Sequence, residues 1–227
     1  MGKGRGGSKT MRKLFLLGDS TCAEKEADKR PETGWGMMMQ ELVGPSFTVV
    51  NLALNGRSTK SFLQEGVFGK CQKVLKAHDV VMIQFGHNDN KEDEQRHTDP
   101  WTTFQGNLAY MAEQVIQKGA FPILLTPICR RRFDETGRLV QTHGDYPSAM
   151  IALAKGRGYP LLDLTKETRQ LLTNLGEQGS KRLFLHLAPA EHPNYPEGAA
   201  DDTHLNELGA AVVAKKVTEL FLRLNLV

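Results

Sequence analysis

The sequence is poor in several things, and each shortage excludes something. It has three cysteines in 227 residues, Cys22, Cys71 and Cys129. They are too few and too scattered for a disulfide scaffold or a CxxC metal site. No run of 18 or more apolar residues occurs, so the sequence offers no candidate for a membrane-spanning helix. Aromatic residues make up only 7%, with two tryptophans. There is no internal repeat and no linker that divides the chain. What is present is the composition of a globular protein, 40% hydrophobic and 24% charged, at a length that suits one sizeable domain.

Charge of one sign is also lacking once its location is considered. The formal net charge is +3, but residues 1–13 carry five basic residues (Lys3, Arg5, Lys9, Arg12, Lys13) and no acidic one. Without them, 24 basic residues face 26 acidic ones. Nucleic-acid binding would require a patterned basic face within the fold, and a Gly-rich tail does not supply it. Residues 1–12 are expected to be a disordered basic tail, and 13–227 a single domain. The tail has no apolar segment of the signal-peptide kind. It also fails the myristoylation pattern, because Gly6 stands where Ser or Thr is required. Scattered thiols fit a reducing compartment, so the expected location is cytoplasmic.

Short apolar runs recur at 14–17, 47–54, 80–85 and 121–125, with a weaker fifth at 159–164. Each of the first four is followed by a turn bearing Gly, Asn or Pro and then by an amphipathic stretch. Near-continuous short runs suggest strands buried on both faces, as in a parallel sheet. Helices are expected over about 34–43, 60–77, 101–118 and 146–155. A long closing helix is expected over 206–224, where Leu208, Val212, Val213, Val217, Leu220, Phe221 and Leu224 share one face. Strand alternating with helix predicts a doubly wound α/β/α sandwich with about five parallel strands. Such folds place their sites at the carboxyl ends of the strands, which directs attention to four turns.

Gly18-Asp19-Ser20-Thr21 follows the first strand and would expose a serine hydroxyl on a tight turn. Helix capping by Asp19 or Ser20 is the structural alternative. Asn55-Gly56-Arg57-Ser58-Thr59 follows the second strand, where a glycine lets a backbone N–H approach a ligand. Gly86-His87-Asn88-Asp89 follows the third. Asn88 could offer an amide to a developing oxyanion, whereas His87 is expected to be structural and Asp89 to order the loop. Asp201-Asp202-Thr203-His204 lies before the closing helix. A carboxylate three residues before a histidine can hold the imidazole while its other nitrogen faces a serine, the general-base arrangement of serine hydrolases. Asp202 is expected to cap the helix.

In this order, with GDSTCA, NGRSTKSF, FGHND, TPICRRRFDETG, HGDYPSAM and DDTHLNELGA, the chain resembles the SGNH, or GDSL-type, hydrolases from about Lys13 to the C-terminus. Within them it is most similar to the rhamnogalacturonan acetylesterase-like branch, carbohydrate esterase family twelve. The resemblance implies a flavodoxin-like fold, with Ser20 as nucleophile, His204 as general base and Asp201 orienting His204. It further implies an oxyanion hole formed by the N–H groups of Ser20 and Gly56 and the side chain of Asn88.

The chemistry so implied is ester hydrolysis through an acyl-serine, with no metal or organic cofactor. The implied substrate is acetylated pectic rhamnogalacturonan, as oligosaccharides if the enzyme works inside the cell. Arg130 and Arg131, in a run of three arginines, could pair with galacturonate carboxylates. Trp35 and Trp101 could offer flat faces to sugar rings. Cys22, two residues after Ser20, is expected to be a buried free thiol. A lipid esterase, lysophospholipase or thioesterase would need an apolar acyl channel, for which the sequence has no obvious long apolar loop. A non-catalytic carbohydrate-binding relative would be expected to lack one of Ser20, Asn88, Asp201 or His204, and all four are present.

Overall fold

The computed structural model describes residues 11–225. Apart from Met11 and Arg12, the expected tail lies outside the described residues, and Arg12 already belongs to the first strand. Five parallel strands form the central sheet: β1 (Arg12–Gly18), β2 (Phe47–Asn51), β3 (Val80–Gln84), β4 (Phe121–Leu125) and β5 (Leu161–Leu162). Their order is β2-β1-β3-β4-β5. The chain thus moves from β1 to one edge, then crosses back over β1 to build the other half. The switch point lies between β1 and β3, paired from Leu14↔Val80 to Gly18↔Gln84.

Both faces are covered, which is why the strands appear as unbroken apolar runs. Leu14, Leu16, Val80, Met82, Ile123 and Leu125 face one core. There they meet Met39 from α1 (Met39–Val43), Leu172 from α6 (Leu164–Ser180), and Val213, Val217 and Phe221 from α7 (Glu207–Arg223). The alternate residues Phe15, Leu17, Val81, Ile83 and Leu124 face the other core. They pack with α2 (Thr59–Gln64), α3 (Val67–Val74), α4 (Gln105–Gln117) and α5 (Tyr146–Arg157). The period of two across a doubly covered sheet divides each strand between two cores.

Several expected boundaries shift for local reasons. The helix expected at 60–77 is two helices, because the chain turns left-handed at Gly66 (φ +71°). The strand expected to reach residue 54 ends at Asn51, whose side chain captures the Ala53 N–H. The weak fifth run contracts to two residues. Beyond it, α6 and a two-stranded antiparallel hairpin, β6 (Phe184–Leu187) and β7 (Ala199–Leu205), were not expected. Helix α6 does carry an apolar stripe, with Leu164, Leu171, Leu172 and Leu175 at helical spacing, but it is mostly polar and contains a non-helical Gly176. The sequence Ala-Ala-Asp-Asp-Thr-His-Leu of β7 alternates no apolar residues at all.

Candidate active site

The hairpin register explains how the DxxH segment acquires its shape. Leu185 pairs with Asp201 and Phe184 with Leu205, so Asp202, Thr203 and His204 are extra on β7. Such a bulge bends a strand and re-aims its side chains. The Asp201 carboxylate stabilises it locally, with Oδ1 accepting from the N–H groups of Thr203 (2.7 Å) and His204 (2.9 Å). Oδ2 accepts from His204 Nδ1 at 2.7 Å. Because an ionised carboxylate can only accept, Nδ1 carries the proton and Nε2 presents its lone pair. Nε2 lies 3.0 Å from Ser20 Oγ, 184 residues away in sequence. The residue expected in a loop is therefore on a bulged strand, in the orientation a proton acceptor for Ser20 needs.

Electrostatics agree with the geometry. Burial opposes protonation of His204, but its hydrogen bond to Asp201 and the Asp201 charge outweigh that and hold its pKa above 6.5. Burial likewise works against the Asp201 carboxylate, yet the side-chain and backbone bonds from His204 bring it down to about 2.

Ser20 sits on the turn that leaves β1. Asp19 does not cap a helix; it folds the turn. Its Oδ1 accepts from Thr21 N (3.0 Å) and Oγ1 (2.8 Å), and its carbonyl accepts from Cys22 and Ala23 N. A buried chain continues inward, with Gln84 Nε2 donating to Thr21 Oγ1 (3.1 Å) and Trp35 Nε1 donating to Gln84 Oε1 (2.8 Å). Cys22 is buried and free, and burial pushes its thiol pKa well up, so it is no competing nucleophile.

Gly56 and Asn88 come from the turns after β2 and β3, on either side of β1. Gly56 has φ +75°, which suits glycine. Among the described residues, neither the Ser20 nor the Gly56 N–H has an acceptor. Asn88 Nδ2 donates one hydrogen to Arg57 O (3.1 Å) and keeps the other. Asp89 clamps the two turns together, its Oδ1 accepting from Thr59 N (3.0 Å), Thr59 Oγ1 (2.6 Å) and Thr98 Oγ1 (3.1 Å). His87 is structural, as expected. It is buried with Nδ1 3.1 Å from His143 Nε2, and burial first and then the neighbouring charges push both rings well below 6.5, His143 to about 3.

The structure corrects four expectations. Trp35 is 0% exposed and bonded to Gln84, so it has no face for a sugar. Arg131 is 4% exposed, and its guanidinium is held by Asp202 (2.5 Å) and Glu177 O (2.9 Å), away from any ligand. Asp202 does not cap α7; Asn206 does, accepting from Gly209 N. Asp202 instead joins Arg131 and His186 (2.8 Å), and its carbonyl accepts from Arg131 N (2.7 Å), fastening the bulge to the loop after β4. Arg130 is half-buried, with its guanidinium directed to His87 O (2.9 Å) and Thr142 O (3.1 Å). It braces the Asn88 turn and does not extend as a free fork. Trp101 is 48% exposed, with its indole N–H donating to Asp145 (3.1 Å).

Two contributors escaped sequence reasoning. Gln84 ends an apolar strand and carries no motif, although it anchors the Ser20 turn. Lys25 bonds Asn55 (2.7 Å) and Glu32 (2.7 Å) and so holds the Gly56 turn against the Ser20 turn. A solitary lysine gives no signal of this. Among the described residues, no three His, Cys, Asp or Glu side chains are grouped as metal ligands would be.

A serine hydroxyl facing a carboxylate-held imidazole, on turns at the carboxyl end of a parallel sheet, is the arrangement found in the serine-hydrolase class of site. The chain belongs to the GDSL-like Lipase/Acylhydrolase family, whose model matches residues 16–212. It is 44% identical over 91% of its length to rhamnogalacturonan acetylesterase RhgT of Bacillus subtilis, covering 88% of that protein. It is 31% identical to the probable rhamnogalacturonan acetylesterase YesY of the same organism, over 91% of this chain and 90% of that one. The crystal structure of Bacillus subtilis YxiM superposes with a TM-score of 0.79 at 26% identity, over 95% of this chain and 57% of that one. An acetylxylan esterase from Geobacillus stearothermophilus shares the fold, with a TM-score of 0.62 at 18% identity over 93% of each chain.

The Arg131–Asp202 contact yields a stability prediction. Asp202→Ala strands a buried guanidinium and should cost about 3 kcal/mol, the low end for breaking such a pair because Asp202 is itself half-exposed. Urea denaturation measures it. A loss below ~1 kcal/mol, the scale of a surface pair, would show that the bulge does not depend on this contact.

Proposed function

We propose that the protein is a serine carboxylic ester hydrolase that removes O-acetyl groups from carbohydrate, with acetylated rhamnogalacturonan oligosaccharides as substrate. The observation that carries the catalytic reading is the relay from Asp201 through His204 to Ser20, at 2.7 and 3.0 Å. The substrate class is supported by the names of the relatives at 44% and 31% identity. The reading places the enzyme in the cytoplasm, a compartment suited to its three free, buried thiols.

In the first step Ser20 Oγ attacks the acetyl carbonyl carbon, and its proton passes to His204 Nε2. The carbonyl electron pair moves onto oxygen, where the N–H groups of Ser20 and Gly56 and the free amide hydrogen of Asn88 receive it. The imidazolium is stabilised by Asp201, which stays ionised. Collapse breaks the ester C–O bond, and the sugar hydroxyl leaves with the His204 proton. Water then gives its proton to Nε2 and attacks the acyl-serine, releasing acetate and restoring Ser20. Donors already fixed by the Asp89 clamp need no rearrangement as the charge develops.

The test is hydrolysis of nitrophenyl acetate and nitrophenyl octanoate by the wild type and Ser20→Ala. Acetate should be preferred, and the variant should lose turnover while keeping its melting temperature. Activity surviving in Ser20→Ala would remove the serine from the mechanism, and a preference for octanoate would move the substrate class to lipid esters.

A pH dependence also follows. His204 must be neutral to accept the Ser20 proton, and its pKa is held above 6.5. The rate kcat/KM on nitrophenyl acetate should therefore fall toward acid with a limb centred above pH 6.5. Asp201→Asn removes the charge that raises the imidazole and should move that limb to lower pH as well as slow the reaction. A limb that stays in place would show that Asp201 does not tune the base.

A further inference from the structure

Beside Gly56 the surface opens into a groove of about 530 Å³ that no step of acyl transfer uses. One wall is Arg57, Gln64 and Glu65, from the turn after β2 and helix α2. Gln95 and Arg96, from the loop after β3, also line it. No aliphatic or aromatic side chain lines it. An acyl tail would gain no apolar contact there, whereas a hydroxylated ligand meets hydrogen-bonding groups.

The two guanidinium groups are held in place by the protein. Arg57 donates from Nε (2.9 Å) and Nη2 (2.7 Å) to Glu65 and from Nη1 (2.8 Å) to Asn55 O. Arg96 donates from Nε (2.9 Å) and Nη2 (2.6 Å) to Asp93. A guanidinium has five N–H donors, so each still offers hydrogens on its outer edge. A planar pair of such donors matches a carboxylate. Because the side chains are already fixed, a ligand loses less in ordering them. Their charges are offset by Glu65 and Asp93, so recognition would depend on direct bonds more than on a general positive field. The amides of Gln64 and Gln95, which have no partner among the described residues, can serve ring hydroxyls. Gly56 belongs both to this groove and to the N–H donors proposed around Ser20, so the groove adjoins the place where the ester would be held.

We propose that this groove is the subsite for uronate-bearing sugar units beside the acetylated residue, with Arg57 and Arg96 binding a ring carboxylate and Gln64 and Gln95 binding ring hydroxyls. The inference rests on the acetylesterase reading above and assigns the specificity that reading leaves open.

The test compares kcat/KM on an acetylated galacturonate-containing oligosaccharide, an acetylated xylose oligosaccharide and nitrophenyl acetate. Wild type, Arg57→Gln, Arg96→Gln and Ser20→Ala are assayed on all three. Each arginine variant should lower the ratio of acidic oligosaccharide to nitrophenyl acetate by about tenfold or more, mainly through KM, as expected for losing a charged hydrogen bond. The neutral oligosaccharide should suffer less. A ratio within about twofold of wild type in both variants would overturn the subsite. Equal losses on acidic and neutral oligosaccharides would overturn carboxylate recognition. These failures differ from failure of the esterase reading, which would show as wild type without serine-dependent hydrolysis of nitrophenyl acetate.

Discussion

The contact between His204 Nε2 and Ser20 Oγ joins the two ends of the chain, and most of the surrounding structure constrains one side or the other of it. Proton transfer demands a separation near hydrogen-bond length, and a displacement of one ångström carries a large cost in rate. On the serine side, the turn after β1 is tied through Asp19, Thr21 and Gln84 to the buried Trp35. On the histidine side, three residues outside the hairpin register are bent inward by Asp201. That bulge is then fastened by Asp202 to Arg131, a residue of the loop beyond β4. Neither side depends on apolar packing alone. Hydrogen bonds and ion pairs fix direction where hydrophobic burial, being non-directional, cannot.

The same logic governs the three N–H groups proposed to receive the oxyanion. Three N–H groups come from three turns, and each turn is bound to another. Lys25 joins the first to the second, and Asn88 with Asp89 joins the second to the third. Burial raises the Asp89 pKa to about 7, so the clamp includes a carboxyl that ionises near neutrality. Its conformational role is carried by Oδ1, which accepts three hydrogen bonds.

The sequence revealed most where the chemistry was local. Residues that leave a strand and turn at once, such as Gly18-Asp19-Ser20, Gly56 and Gly86-His87-Asn88, could be located because buried parallel strands form continuous apolar runs that end sharply. The spacing of Asp201 and His204 picked out the carboxylate that contacts the imidazole, while Asp202 pairs with Arg131 instead. What remained hidden was tertiary. A strand made of Ala, Asp, Thr and His has no amphipathic period, so the hairpin could not be seen. Trp35 and Arg131 are large residues whose roles depend on whether they are covered, and neither composition nor spacing reports that. Gln84 and Lys25 act through partners 63 and 30 residues away.

In the proposed reaction the decisive event is activation of Ser20 by His204 so that it can carry the acyl group. Its most direct measurement is covalent capture by a fluorophosphonate, which reacts with a serine that an adjacent base has activated, read by peptide mass spectrometry. One adduct per chain is expected, located on the peptide containing Ser20, at a rate that collapses in His204→Ala. An adduct on another residue, or labelling of Ser20 that is equally fast without His204, would contradict it.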